Sequence, residues 1–276
     1  MEIILVLYFS ILIGIGVAAS KKVNNVSDYY VGGKKLNYWI AALSARATGE
    51  SGWLLLGVTG MGAVMGFSAF WIVLGEVLGV FLSWHFMAEK FKTLTDNYKS
   101  ITVPDFLHSH FSSKTNTIRI IAATALSAFV VIYVSAQIDI TGKAFESFLG
   151  YNYYFGILIG FGIVVAYIFS GGFLAVAWSD LFQGSIMFLA LLVLPITAYL
   201  QLPNKMAFLQ GHKDIDPALV NIWGDGGFTF MNFLSVIGLL SIGIGFLGSP
   251  QVYVRFIAIK NTQEIKKGKI VAVIYT

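Results

Sequence analysis

The chain is 276 residues long, with 57% of its residues hydrophobic, only 12% charged, and a mean hydropathy of +0.78. A soluble domain of this length needs more charge to cover its surface, so the composition excludes a soluble globular protein and indicates a helical membrane protein. The net charge of +4 is not gathered on a polar domain, which argues against nucleic acid as a partner. The absence of cysteine excludes disulfides, iron–sulfur clusters and thiolate metal sites.

Apolar runs long enough to cross about 30 Å of hydrocarbon recur along the chain. They predict seven membrane-spanning helices, which in chain order are Ile3–Ala19, Tyr38–Met65, Ala69–Met87, Ile118–Ile140, Tyr154–Phe169, Leu181–Leu200 and Phe228–Phe246. An eighth span is predicted to begin at Ile270. Because it stops at Thr276, we expect the sequence to be incomplete at its C-terminal end.

The basic residues predict how the chain is oriented. Fourteen of the 18 Lys and Arg residues, Arg255 among them, fall on one side of the spans, three fall on the other, and Arg46 lies inside a span. Because positively charged loops stay in the cytoplasm, we expect a multi-pass protein of the cytoplasmic (inner) membrane with its N-terminus outside. The first span is followed by Lys21 and Lys22 and preceded by no basic residue, which predicts a retained helix and not a cleaved signal peptide.

Two spans contain residues that propagate a helix poorly. Span two carries residues 48–52 (TGESG) at mid-membrane depth, and span seven ends in SIGIGFLGSP, with three glycines before Pro250. Unpaired backbone within a membrane is tolerated only where it lines a cavity. Two such spans separated by four intact ones are typical of an inverted-repeat transporter, in which spans two to six form the first repeat and span seven begins the second. The alternative is that these glycines serve helix packing alone.

Three ionisable residues, Arg46, Glu50 and Glu76, lie deep inside the predicted spans. A lone charge at the bilayer centre costs about 2.5–3.5 kcal/mol on insertion scales, so each should be paired or functional. Arg46 and Glu50 are four residues apart and share a helix face, so we expect Arg46 to be a structural intramembrane charge anchored by Glu50, Glu76 or both. Asp180 is predicted at the cytoplasmic start of span six, where the helix dipole or a role in ion passage would explain an acid.

Three strings of residues carry a resemblance to a known family: SGWLLLG (51–57), GGFLAVAWSD (171–180) and GSPQVYVRF (248–256). In combination they resemble the sodium/solute symporter family, most of all its bacterial sodium/proline branch. The resemblance implies an all-α fold of the leucine-transporter type, with discontinuous helices. Because members of the family have more spans than are present here, it also implies that residues 1–276 are the N-terminal half of a transmembrane carrier domain, with span one peripheral.

The resemblance also implies roles for single residues. The residues implied in sodium binding or coupling are Ala47 and Glu50, through their backbone carbonyls, together with Ser51 and Asp180. The residues implied in substrate binding are Gly52, Trp53, Tyr133, Phe246 and Pro250. The proline branch carries an aspartate at Gly49, a tryptophan at Ile242 and a tyrosine at Phe246, so other amino acids, sugars, carboxylates and vitamins remain open as substrates.

The predicted function is sodium-coupled symport of a small solute, proline or a related amino acid, by alternating access through the lipid bilayer. The sodium ion is the coupling ion and the expected metal, and no cofactor is expected. No phosphate-binding loop, nucleophile elbow or HExxH motif is present in the sequence, so we expect no enzyme. Three alternatives stay open: a carrier of another solute, a symporter-like sensory module of a signalling protein, and a truncated product that does not transport.

Overall fold

The computed structural model describes residues 2–202 and 204–276, and within them the chain is helical and forms no β-strand. This confirms the predicted all-α class. In chain order the helices are α1 (Glu2–Ser20), α2 (Val26–Val31), α3 (Tyr38–Gly52), α4 (Thr59–Met65), α5 (Phe70–Leu82), α6 (Ala88–Asn97), α7 (Val103–His110), α8 (Thr117–Leu149), α9 (Tyr153–Gln201), α10 (Lys205–Ile215), α11 (Phe230–Ile244), α12 (Pro250–Ala258) and α13 (Thr262–Tyr275). Short 3-10 or π-helical turns join several of them.

The described residues contain five stretches that are long and apolar enough to cross a membrane, and two of these contain a glycine that leaves the helix. The five are Glu2–Ser20, Tyr38–Asn97, Thr117–Leu149, Tyr153–Gln201 and Phe230–Gly248. Gly66 has φ 58° and ψ −133°, and Gly172 has φ 55° and ψ −148°, backbone values that glycine adopts without strain. The chain turns back at each glycine, so the five stretches make the seven passes that the sequence predicts.

Contacts across the two glycines demonstrate the reversals. The Trp53 indole is hydrogen-bonded to Glu76, although Gly66 lies between them in the sequence. Ile163 packs in the same apolar cluster as Phe182, on the other side of Gly172. In a continuous helix with a rise of 1.5 Å per residue, each pair would be roughly 30 Å apart. Each stretch therefore consists of two passes that lie side by side.

Three predicted boundaries need correction. The helix predicted from Ile270 is α13, which begins at Thr262 because the Asn261 side chain caps it by accepting a hydrogen bond from the Glu264 amide. The second pass of α9 follows directly on Gly172, so Asp180 lies about two turns inside that helix and not in its first turn. The fourth predicted span does not end at Ile140 but continues as α8 to Leu149.

Helices α5 and α11 approach each other through glycines. The backbone of Gly243 lies against Gly75 and Gly79, so close that a Cβ atom at any of the three positions would overlap the facing main chain. Gly75 and Gly79 are four residues apart and share one helix face, the spacing that lets membrane helices meet closely. This contact holds the helix before the second interruption directly beside the helix that carries Glu76.

Main-chain hydrogen bonds join the start of α3 to the end of α12. The Leu36 amide donates to the Ala258 carbonyl at 3.1 Å, and the Lys260 amide donates to the Leu36 carbonyl at 2.8 Å. The Lys92 ammonium, only 1% exposed, donates to the Ile257 carbonyl at 3.1 Å. The two main-chain bonds hold the ends of the two interrupted helices side by side on the side predicted to be cytoplasmic, which fixes how their interruptions face each other.

Candidate functional site

The first interruption lies at Ser51, whose φ of 41° and ψ of −157° are far from helical values. In a continuous helix the Gly52 amide would donate to the Thr48 carbonyl. Here the Gly52 amide donates to Gln137 Oε1 at 3.0 Å, and the Tyr133 hydroxyl donates to the Thr48 carbonyl at 3.4 Å. Two side chains of α8 thus supply partners for the backbone that the interruption releases, as a membrane interior requires.

The second interruption separates α11 from α12. After Ile244 the chain makes one 3-10 turn and becomes extended at Ser249, whose ψ is 109°. Helix α12 then begins at Pro250, where the missing amide hydrogen of proline removes no helical hydrogen bond. The Tyr253 hydroxyl donates to the Leu247 carbonyl at 2.6 Å within the interruption. Both discontinuities that the sequence predicts are therefore present.

The two interruptions face one cavity of about 290 Å³. Its lining residues come from α3, the turn after it, α5, α8, and the α11–α12 region: Gly49, Trp53, Glu76, Tyr133, Ile242, Gly245, Phe246, Ser249 and Gln251. Pockets near 300 Å³ are at the small end of those that bind metabolites. The cavity is therefore of a size suited to a single small solute, and it is lined by aromatic rings and a few polar groups.

The three predicted intramembrane charges lie together beside this cavity. Arg46, Glu50 and Glu76 are only 2%, 5% and 3% exposed. The Arg46 guanidinium pairs with Glu50 and lies 5.3 Å from the centre of the Phe246 ring. Glu76 is held differently, because its Oε1 accepts a hydrogen bond from the Trp53 indole nitrogen at 2.8 Å. Among the described residues, Arg46 forms an ion pair with Glu50 and none with Glu76.

A second, partly buried polar cluster surrounds Asp180, on the side predicted to be cytoplasmic. Asp180 Oδ2 accepts hydrogen bonds from Arg255 Nη2 at 2.9 Å and from the Ser44 hydroxyl at 2.6 Å. Arg255 also donates to Ser44 Oγ at 3.0 Å and to Thr48 Oγ1 at 2.7 Å. Because the Thr48 carbonyl belongs to the first interruption, this cluster connects Asp180 and α12 to that interruption.

The structure brings together three of the predicted substrate residues, since Trp53, Tyr133 and Phe246 all line the cavity. Gly52 packs against Ile140 beside it. Pro250 does not belong to this lining. It lines a neighbouring cavity of about 300 Å³.

The predicted sodium residues lie in two groups. Ala47 and Glu50 precede the first interruption, Ser51 forms it, and Ala47 faces α9 opposite Gly184. Asp180 lies apart from them in the polar cluster, linked through the Thr48 hydroxyl at 3.4 Å. The roles of these residues remain predictions, which the geometry makes testable.

Sequence reasoning missed four residues that complete these sites. Gln137 and Ser44 supply hydrogen bonds to the interruption and to Asp180, and Gln251 lines both the main and the neighbouring cavity. The charge pattern groups Arg255 with the cytoplasmic cations outside the spans, but it is only 5% exposed and lies inside α12. A signal was available for it, since Arg255 lies within the string GSPQVYVRF that carries the family resemblance.

The fold has a counterpart among solved structures. A chain described as "Substrate-bound outward-open state of a Na+-coupled sialic acid symporter reveals a novel Na+-site" matches with a TM-score of 0.80. The match covers 99% of this chain and 56% of that one, at 20% sequence identity. Such a likeness shows the fold, which is the inverted-repeat, leucine-transporter type with discontinuous helices.

Sequence comparison identifies the family. The model of the sodium:solute symporter family matches residues 29–276. The "High-affinity proline transporter PutP" of Bacillus subtilis (strain 168) is 38% identical over 256 residues, which cover 92% of this chain and 53% of that protein. A "Sodium/proline symporter" of Staphylococcus aureus (strain JH9) is 35% identical over 269 residues, which cover 97% and 51%. The chain belongs to the sodium:solute symporter family, and it spans about half the length of the curated relatives it matches.

Proposed function

We propose that this protein carries out sodium-coupled symport of a small solute, proline or a related amino acid, across the cytoplasmic membrane. The observation that carries the proposal is that two interrupted helices present their non-helical segments to one small cavity. The relatives named for proline transport support the choice of solute. The proposal assigns the protein a carrier's role and no enzymatic one, with its N-terminus outside, the bilayer around it and no nucleic-acid partner.

The proposed sodium site is the first interruption. Broken helices in membrane carriers release carbonyl oxygens from the helical ladder, and such oxygens coordinate sodium. Ala47 and Glu50 lie just before the interruption and Ser51 forms it, which makes them the proposed ligands on this chain. Asp180 is proposed to guide the ion on the inner side, because it is linked to Thr48 and lies only two turns along a helix that faces Ala47.

The proposed solute site is the cavity between the two interruptions. Trp53 and Tyr133 form its walls, and Phe246 separates it from the Arg46–Glu50 pair. Gly52 lies next to the cavity, where a side chain would overlap Ile140, so a glycine is needed for this close packing. Pro250 is given a different part from the one first predicted: it ends the second interruption by starting α12, and it shapes the cavity from outside.

Coupling follows from the shared interruption. Sodium bound at residues 47–51 stabilises the arrangement in which Trp53 and Tyr133 form the cavity, so it raises the affinity for the solute. The coupling is reciprocal, and the solute must raise the affinity for sodium by the same factor. Because main-chain bonds tie the start of α3 to the end of α12, the two interrupted helices move together when the site opens to the other side.

The direct test of this function is uptake by proteoliposomes that contain the protein. We expect uptake of labelled L-proline, or of another amino acid in a screened panel, to be driven by an inward sodium gradient and to stop when the gradient is collapsed by an ionophore. Potassium in place of sodium serves as the control. Uptake that is equal with and without the sodium gradient would contradict symport.

A further inference from the structure

Buried acids outnumber buried bases beside the cavity. Arg46, Glu50 and Glu76 are each at most 5% exposed, and Arg46 pairs with Glu50. In the part of the chain that the structure describes, no cationic side chain lies within ion-pair distance of Glu76. Arg255, the other buried arginine among these residues, is bonded to Asp180. Two buried carboxylates beside one buried guanidinium are unfavourable, because Arg46 can neutralise only one of them, so the cavity is short of one positive charge.

The Glu76 carboxylate is held in place through one oxygen atom, and its other oxygen accepts no hydrogen bond from the described residues. The Trp53 indole nitrogen donates to Oε1 at 2.8 Å, which sets the orientation of the group. Oε2 receives no hydrogen bond from any residue in the ranges 2–202 and 204–276, and Glu76 lines the cavity. One carboxylate oxygen is therefore available to whatever enters.

The walls around this oxygen favour an organic cation over a small metal ion. Trp53 and Tyr133 present aromatic rings to the same space. Ring faces attract ammonium groups, whereas a hard metal cation needs several oxygen ligands at once. The third ring, Phe246, already has the Arg46 guanidinium over its face, which leaves Trp53 and Tyr133 for a second cation.

We infer that Glu76 receives the positively charged amine of the transported solute, with Trp53 and Tyr133 beside it, so that the carrier selects small molecules that bear a protonated amine. That this solute is transported rests on the proposed function, whereas its binding to the site is measurable without transport. It gives Glu76 a substrate-binding role beyond the structural one predicted from the sequence. It also separates proline-like amino acids from the sugars and amine-free carboxylates that the sequence leaves open.

The test compares solutes that differ only in the amine. The purified protein in lipid nanodiscs is heated with sodium and with amino acids or their amine-free partners, such as L-proline and cyclopentanecarboxylate, or L-alanine and propionate. We expect the amine-bearing member to raise the thermal midpoint and its partner to leave it unchanged. In Glu76→Gln, the concentration of amine needed for half of the effect should rise about tenfold or more, because a charge-assisted hydrogen bond is lost. Glu146→Gln, an exposed acid at the outer end of α8, is the matched control and should behave as the wild type.

Each result decides a separate point. Equal stabilisation by amine-free partners, no stabilisation by any amine in the panel, or an unchanged amine preference in Glu76→Gln would overturn the amine site. Loss of the sodium-induced stabilisation in Glu76→Gln without solute would assign Glu76 to the ion and overturn it as well. Amine-specific stabilisation together with sodium-independent uptake would leave the amine site intact and refute the symport mechanism.

Discussion

Replacing Arg46 with methionine is expected to lower the free energy of unfolding by about 3–5 kcal/mol, the usual effect of breaking a buried ion pair on one side. The change leaves Glu50 and Glu76 as two buried carboxylates next to one small cavity. Equilibrium unfolding in mixed detergent micelles measures the difference. Lys266→Met is the control, because Lys266 and Glu89 form an exposed pair whose loss should matter little.

The double variant Arg46→Met/Glu50→Met gives the sharper result. Removing both charges and filling the space with apolar atoms should recover much of the stability lost in Arg46→Met, since a buried pair contributes little net energy. If Glu50→Gln also leaves sodium-driven uptake and its sodium dependence unchanged, Glu50 has no side-chain role in coupling. A double variant no more stable than Arg46→Met would contradict the pairing of these two residues.

Replacing Arg255 with methionine is expected to cost about 3 kcal/mol, because it leaves the partly buried Asp180 carboxylate, 14% exposed, without its cation. Arg255→Lys should restore only part of the loss. One ammonium has no fork of nitrogens with which to reach Ser44, Thr48 and Asp180 together. The same unfolding measurement applies.

A double-mutant cycle with Asp180→Asn tests whether the two residues act through each other. We expect Asp180→Asn to be destabilising alone and to have a much smaller effect in the Arg255→Met background. If the two effects add independently, the hydrogen-bonded cluster does not link α9 to α12. In that case Asp180 would have to act on sodium without Arg255.

The parts of the fold that sequence predicts are those that local chemistry determines. Hydropathy sets the seven passes because each one must cross the same thickness of hydrocarbon. The spacing of Arg46 and Glu50 predicts their pairing because residues four apart meet on any helix. The second interruption follows from its glycines and Pro250, and the first lies at Ser51 between Gly49 and Gly52, so both fall in segments whose local sequence propagates a helix poorly.

The parts that sequence could not predict depend on contacts between distant segments. Gln137 lies in an apolar helix 85 positions from Gly52, and nothing local indicates that it accepts the hydrogen bond of the Gly52 amide. The sequence predicts Arg255 among the cytoplasmic cations outside the spans, whereas its burial results from Ser44, Thr48 and Asp180 on other helices. The free oxygen of Glu76 likewise depends on how Trp53 is turned towards it.

The chain provides a clean probe for the central claim, because it has no cysteine. Gly245 lines the cavity, and a Cβ atom there would meet nothing within 4 Å, so Gly245→Cys places one thiol in the second interruption. Gly238→Cys, on the exposed surface of α11 with equally open space, is the matched control.

The decisive measurement is the rate at which a hydrophilic maleimide labels these two thiols, with and without sodium and L-proline. If the interruptions surround a wet site that binds both, the thiol at 245 reacts, sodium changes its rate, and sodium with proline slows it most, while the thiol at 238 responds to neither. A thiol at 245 that is inert, or that reacts at one rate under all conditions, would contradict the account.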